Sequence, residues 1–208
     1  MEYEVRYYYS KNELNNLINK LDTIKELKKE NRLYEKTIQY DHPNTNMSFY
    51  SKEIDGRFRI RVSYNDEVSK CMISWKKRLN TDNEVNEEEE VELTIKYEEY
   101  NNLIFIIEEV LKMKSIESYE RYRTIYHNNE IEIAIDEYPF GIALEIENKS
   151  NSENPKEVVK KWTEILNLDI NNSYKLSWDD KYTSLCREQN IEIYKHVTFD
   201  KEMPVVND

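Results

Sequence analysis

The feature that most constrains this chain is a period of two in its charge. Glu2, Glu4 and Arg6 alternate with Tyr3, Val5 and Tyr7, and the same rhythm recurs along the chain. Arg59 and Arg61 alternate with Phe58, Ile60 and Val62. Lys76 opposes Ile73 and Trp75. Glu90 and Glu92 oppose Val91, Leu93 and Ile95. Arg121 and Arg123 oppose Tyr122, Thr124 and Tyr126. Asp136 opposes Ile133 and Ile135, and Glu145 and Glu147 oppose Leu144 and Ile146. In a strand, residues i and i+2 point the same way, about 7 Å apart. Each segment therefore predicts a strand with one apolar and one charged face. The predicted strands are 2–9, 33–40, 57–64, 70–78, 88–95, 117–127, 130–137 and 142–148.

Three amphipathic helices are predicted between and after them. Ser10 to Glu13 has the pattern of a capping box and precedes Leu14, Leu17, Ile18 and Leu21 at helical spacing. Residues 97–112 place Leu103, Ile106, Ile107 and Val110 on one stripe. Asn154-Pro155 with Glu157 opens a helix that buries Val158, Val159, Trp162 and Leu166. Asp55-Gly56 and Pro139-Phe140-Gly141 read as tight turns, each directly before a charged strand. The acidic stretch 81–90 reads as a solvated hairpin loop running into a strand. About eight strands joined mostly by short loops imply an α+β fold: an antiparallel closed barrel or strongly curved sheet with helices outside.

If the helices cover the apolar face, the charged face lines a lumen. Polar positions there are filled by carboxylates and guanidiniums rather than by Ser, Thr, Asn or Gln. Unpaired charge in such a lumen costs several kcal/mol per ion, so a ligand carrying both signs would complete it. Carboxylates hold divalent cations, and the planar fork of Arg matches two phosphate oxygens. The inferred ligand is a compact polyanion delivered with metal, such as a triphosphate.

Other routes to phosphate are closed. Two glycines in 208 residues exclude a glycine-rich phosphate loop and a dinucleotide fingerprint. Three histidines and two cysteines with no HExxH make zinc improbable, and Cys71 and Cys186 form no disulfide framework. The net charge of −12 argues against non-specific binding to nucleic acid or an anionic membrane. With no apolar leader and no spanning run, the reading is a cytoplasmic protein. Absent any repeat or linker, it is one domain over 1–200 with a tail at 201–208.

These residues resemble the CYTH family, the triphosphate tunnel metalloenzymes, whose first strand carries ExExK. Here that motif is EYEVR, from Glu2 to Arg6. It is followed by RIR at 59–61, SWK ending at Lys76, EVE at 90–92, RYR at 121–123 and IDEYPFGIALEIE at 135–147. The order follows the family through most of residues 1–150, and more loosely through the last segment with Ser173-Tyr174. One departure is that Arg6 stands where the signature has lysine; it keeps the charge but does not readily exchange a proton.

The resemblance implies an eight-stranded tunnel holding a polyphosphate. It implies Mg²⁺ or Mn²⁺, in a two-ion site, on Glu2, Glu4, Glu145 and Glu147. Asp136 matches a further acidic position, and so do Glu90 and Glu92, although the adjacent EEEE run leaves their register open by one or two residues. Arg6, Arg59, Arg61, Lys76, Arg121 and Arg123 would bind phosphate. Glu2, Glu4, Arg6, Lys76, Glu145 and Glu147 would carry the chemistry. The implied activity is hydrolysis of inorganic triphosphate or a related organic triphosphate. The alternatives are a class IV-type adenylyl cyclase, an RNA 5′-triphosphatase and a non-catalytic polyphosphate- or nucleotide-binding module. The partner expected is a small anionic triphosphate, not nucleic acid or a membrane; oligomeric state is left open.

Overall fold

A computed structural model describes residues 1–50, 54–80 and 84–207. Among the described residues ten strands are formed: β1 (Glu2–Tyr9), β2 (Lys28–Lys29), β3 (Leu33–Asp41), β4 (Gly56–Tyr64), β5 (Ser69–Asn80), β6 (Asn86–Lys96), β7 (Lys114–His127), β8 (Ile131–Tyr138), β9 (Gly141–Asn148) and β10 (His196–Val197). Eight of them close a ring in the order β7-β3-β4-β5-β6-β1-β9-β8, with β8 returning to β7. Every pairing around the ring is antiparallel. The two-residue β2 and β10 pair with free stretches of the long β7. Closure satisfies backbone groups that an open sheet leaves at its edges. One edge stays open: β1 meets β6 only through Glu2–Glu4 against Glu88–Asn86, so the rest of β6 has β5 on one side alone. Of the expected loop at 81–90, residues 81–83 lie outside the described residues, and strand begins at Asn86.

Four α-helices are formed among the described residues: α1 (Leu14–Asp22), α2 (Tyr100–Phe105), α3 (Pro155–Ile165) and α4 (Trp178–Gln189). Leu17 and Leu21 of α1 and Val159 and Trp162 of α3 cover the apolar faces of β1, β8 and β9, against Val5, Ile133, Leu144 and Ile146. Full burial of each such side chain contributes about 1.5–3 kcal/mol, so this side holds the largest part of the core. α2 supplies Leu103 and Ile104, and the turn after it Ile107, to a smaller cluster with Tyr40, Ile60 and Cys71.

Three local expectations are corrected. Ser10 makes no side-chain cap, and its hydroxyl has no partner among the described residues. A reciprocal capping box forms instead at Ser177 and Asp180, opening α4, a helix the periodicity did not signal. The stripe in 97–112 is rotated: Ile107 is buried, but Ile106 and Val110 face solvent. The cause is a π-turn over Ile106–Val110, where the Leu111 amide bonds five residues back to Ile106; the wider turn swings both side chains off the core face. On β6, Val91 and Leu93 are 60% and 58% exposed, on the stretch of that strand beyond its pairing with β1. Cys71 and Cys186 are both buried and free. Among the described residues no helix is long and apolar enough to cross a membrane.

The chain's two glycines serve close approach. A Cβ on Gly56 would meet the Trp75 indole at 2.2 Å, and one on Gly141 would meet Val206 at 2.6 Å. Both open strands, β4 and β9, that carry charged inward residues. Gly141 completes a two-residue turn with Pro139-Phe140, where Tyr138 pairs with Gly141. The chain end is fastened there too: the Val206 amide donates to the Phe140 carbonyl.

Candidate active site: a charged tunnel

The charged faces of the closed strands converge on one cavity, with about 200 Å³ of water-accessible space. Its wall is overwhelmingly charged. Among the predicted residues, Glu2, Arg6, Arg59, Arg61, Lys76, Glu90, Glu92, Arg121, Arg123, Glu145 and Glu147 all line it. Strand direction gives the tunnel polarity. β1 begins at Glu2 and β9 ends near Glu147, so these carboxylates lie toward one mouth. β4 begins and β8 ends at the other mouth, which α4 closes by packing Trp178 against Tyr119 and Tyr138.

The acidic side is built around Lys76. Its ammonium lies 2.6 Å from Glu2, 3.1 Å from Glu88, and 3.7 Å from both Glu4 and Glu90. Carboxylate oxygens of Glu2, Glu90 and Glu147 all lie within 4.8 Å of one another. Burial pushes Glu4 up to about 7 and raises Glu2, where Glu90 and Glu88 add repulsion against the pull of Lys76. Burial and then the charge of Glu2 hold Glu147 well above the ordinary carboxyl range. Closely set carboxyls with hard oxygen donors suit a divalent cation of the Mg²⁺ or Mn²⁺ kind. Such an ion would offset both the burial of their charge and the repulsion among them.

The middle of the tunnel is a chain of alternating charges. Arg6 Nε donates to Glu145 Oε1 at 2.7 Å, and Arg123 Nη2 donates to Glu145 Oε2 at 2.5 Å. Arg123 also grips Asp136 with two bonds of 2.6 Å, and Arg121 Nη1 donates to Asp136 Oδ2 at 2.7 Å. Arg121 Nε then donates to Glu35, which accepts from Ser63. Burial alone would raise Glu145, but Arg6 and Arg123 hold it well below the ordinary range. Glu35 is likewise depressed by Arg121 and Arg61 against the effect of burial.

One wall is less tied. Among the described residues Arg59 hydrogen-bonds only to the side-chain oxygen of Gln39, at 3.4 Å, and forms no ion pair. Arg61 lies 3.4 Å from Thr37 and 3.8 Å from Glu35. Guanidiniums with weak protein partners are the groups with hydrogen-bonding capacity left for a bound anion.

No family model matches the sequence, and no curated protein does. Solved structures do match. The PH1012 protein of Pyrococcus horikoshii is 18% identical with a TM-score of 0.64, over 86% of this chain and 97% of that one. An adenylate cyclase candidate from Vibrio parahaemolyticus is 16% identical with a TM-score of 0.64, over 86% and 95%. An adenylyl cyclase candidate from Hippeastrum, described as having a dominant triphosphatase activity, is 17% identical with a TM-score of 0.57, over 93% and 98%. The fold is that of the triphosphate tunnel proteins.

Within this tunnel fold, two of the predicted site residues are placed differently from the rest. Glu4 and Asp136 are buried in the wall rather than facing the cavity. Glu4 accepts from Arg6, and both oxygens of Asp136 are taken by arginines. The tunnel wall also holds residues that the sequence reading did not single out. Glu35, Arg57, Arg78 and Glu88 share the inward parity of their strands, and Tyr119, Tyr138 and Trp178 form an aromatic end wall. Arg57, Arg78 and Glu88 sit two residues from Arg59, Lys76 and Glu90, so the period that found the latter extends to them. Trp178 carried no such signal, because it arrives on a helix from outside the barrel.

Proposed function

We propose that this protein hydrolyses inorganic triphosphate or a related organic triphosphate, with Mg²⁺ or Mn²⁺ held by Glu2, Glu90 and Glu147. The observation that carries this reading is the meeting, in one tunnel, of a carboxylate trio within 4.8 Å and a set of inward arginines. Pure anion binding needs no carboxylate cluster, and pure metal binding needs no row of guanidiniums. A divalent ion bound there supplies Lewis-acid neutralisation of phosphate charge.

The chain's own groups do the rest. Arg59 and Arg61, the least tied of the inward arginines, bind phosphate oxygens. Arg6, Arg121 and Arg123 are held in place by Glu145, Asp136 and Glu35, so they need no reorganisation as charge shifts between oxygens. Lys76 neutralises its carboxylate neighbours and remains able to donate to phosphate. Arg6, whose pKa is raised well above its ordinary value by Glu145 and Glu4 despite burial, stays charged throughout; its role is electrostatic. The closed wall and α4 limit bulk water around the reacting anion. The triphosphatase activity described for the Hippeastrum protein supports hydrolysis as the first choice.

The test is a substrate panel with Mg²⁺ or Mn²⁺: inorganic triphosphate, thiamine triphosphate, ATP and RNA bearing a 5′-triphosphate, with products identified. Orthophosphate from triphosphate is expected. Cyclic AMP with pyrophosphate would favour the cyclase reading, and tight binding without turnover would favour a binding module.

A further inference from the structure

The open edge of the barrel is long, regular and apolar on its outer side. From Glu89 to Lys96, β6 pairs with β5 and has no strand on its other side among the described residues. Its pairing with β5 runs without a register shift from Lys77 opposite Glu89 to Lys70 opposite Lys96. The stretch holds no Pro and no Gly. Natural sheets blunt such edges with prolines, bulges, very short strands or charge, because free N–H and C=O groups template another strand. Here only charge is used, and its order decides which strand can add. Odd-numbered residues face outward: Ile95 packs into the cluster under α2, and Val91 and Leu93 precede it on the same face, both more than half exposed. Even-numbered Glu90 and Glu92 line the cavity.

We infer that this edge pairs with the same edge of a second copy of the chain, antiparallel, about a two-fold axis at Leu93. Directly opposite residues share a face with Cβ atoms about 4.5–5.5 Å apart, and like charges there are destabilising. In a two-fold antiparallel pair one residue faces itself, and the other pairs follow by counting. With Leu93 at the axis, Val91 faces Ile95, Glu92 faces Thr94 and Glu90 faces Lys96, each twice. Apolar side chains meet apolar ones on the outer face, and the lysine of the stretch meets a glutamate on the inner face. The neighbouring registers are poorer. Centring on Val91 sets Glu90 against Glu92. Centring on Glu92 sets that residue against itself and Glu89 against Ile95. Centring on Thr94 pairs only residues 92–96 within the strand, whereas the Leu93 register pairs 90–96.

The complement that the edge calls for is thus written in the edge itself, and this names the occupant. A chain of net charge −12 repels its own copy, so an acidic strand without a lysine at the right place would be rejected. The two Glu90–Lys96 pairs are where the contact offsets that repulsion. An isologous pairing uses up both edges, so it stops at two chains and leaves no edge for further growth. Glu90 also belongs to the carboxylate trio, so the interface borders the acidic mouth of each tunnel. The pairing does not depend on the triphosphatase reading.

The experiment is sedimentation velocity of the full chain over a range of concentrations. The wild type should approach twice the 25.3 kDa chain mass. Leu93→Glu sets two like charges against each other at the axis and should weaken the dimer at least about 100-fold. Leu93 is exposed and points away from the tunnel, so this variant keeps its fold, which circular dichroism checks. Phe105→Glu, on the 61% exposed Phe105 of α2, should leave the dimer intact. A second measurement reads the register without destabilising anything: Leu93→Cys should cross-link to its own copy on mild oxidation, because the two residues face each other, whereas Thr94→Cys should not. The native cysteines are both buried and give little background. A wild type that stays monomeric at about 100 μM, far above the working range of stable complexes, overturns the pairing, whether the edge stays bare or takes another protein's strand. A dimer that survives Leu93→Glu, or that is lost in Phe105→Glu instead, overturns it as well. Triphosphate turnover is scored separately, and its absence would refute only the hydrolase reading.

Discussion

Arg123 grips Asp136 through two nitrogens, with both bonds at 2.6 Å, and Asp136 has no solvent exposure at all. The same carboxylate also receives Arg121. Asp136 is therefore the shared anchor of two tunnel arginines. Its replacement by Asn leaves two buried guanidiniums short of a counter-charge, a change of the kind that costs about 3–5 kcal/mol. Asp136→Asn should lower the denaturant midpoint accordingly. In the folded fraction, Mg²⁺ affinity should fall less than in Glu147→Gln, whose carboxylate faces the cavity. An Asn variant as stable as wild type would show that the arginines find other partners.

Much of this was legible because a strand has an integral period. Once Glu2 and Glu4 share a face, Arg6 must as well, and with α1 and α3 covering the apolar face the charged one is left to the inside of the ring. Parity thus gathered Arg59, Lys76, Arg121 and Glu145 into one cavity from segments far apart in sequence. Glu35 escaped because its face also carries Leu33, Thr37 and Gln39, a mixed set that does not announce a charged lumen. Parity also could not rank the residues it gathered. Glu90 and Asp136 look equivalent in sequence, yet one faces the cavity and the other is saturated by arginines. The end wall was illegible for a different reason: Trp178 reaches the tunnel through tertiary packing of α4, which leaves no periodic trace in the strands.

Removing charge from the acidic side tests the metal assignment. Glu2 lies in the trio and Glu4 beside Lys76. The double variant Glu2→Gln/Glu4→Gln removes two formal charges with little change of volume. Activity should drop at least about 100-fold, on the scale of losing a metal's electrostatic role. Rates within a few fold of wild type, measured as product release from inorganic triphosphate, would remove Glu2 from the metal site.

Arg59 offers the opposite case, a tunnel cation with no ion pair among the described residues to lose. Arg59→Ala should leave thermal stability nearly unchanged, in contrast to Asp136→Asn. Its cost should fall on substrate, with KM for triphosphate raised about tenfold or more by loss of a charge-assisted contact. Unchanged KM and kcat together would place Arg59 outside the substrate path.

The raised carboxyl groups set the pH dependence of stability. Glu4 is pushed from 4.5 to about 7, and Glu2 and Glu147 are also raised, burial leading in each case. A carboxyl with a higher pKa in the folded state holds its proton more tightly there than in the unfolded chain. Between about pH 4.5 and pH 7 the folded state therefore binds more protons, and stability falls as pH climbs through that window. Glu35, Glu88 and Glu145, all depressed, lose their contribution only below the ordinary carboxyl range, so they do not oppose the trend. The metal-free protein should melt several degrees lower at about pH 8 than at about pH 5.5. Mg²⁺ or Mn²⁺ should raise the melting temperature at about pH 8 and do much less at about pH 5.5, where protons compete for the same oxygens. Chelator should reverse the gain. A melting temperature that climbs with pH over this range, or that ignores divalent ions at the alkaline end, would mean that these carboxyls are not the strained cluster their burial and spacing describe.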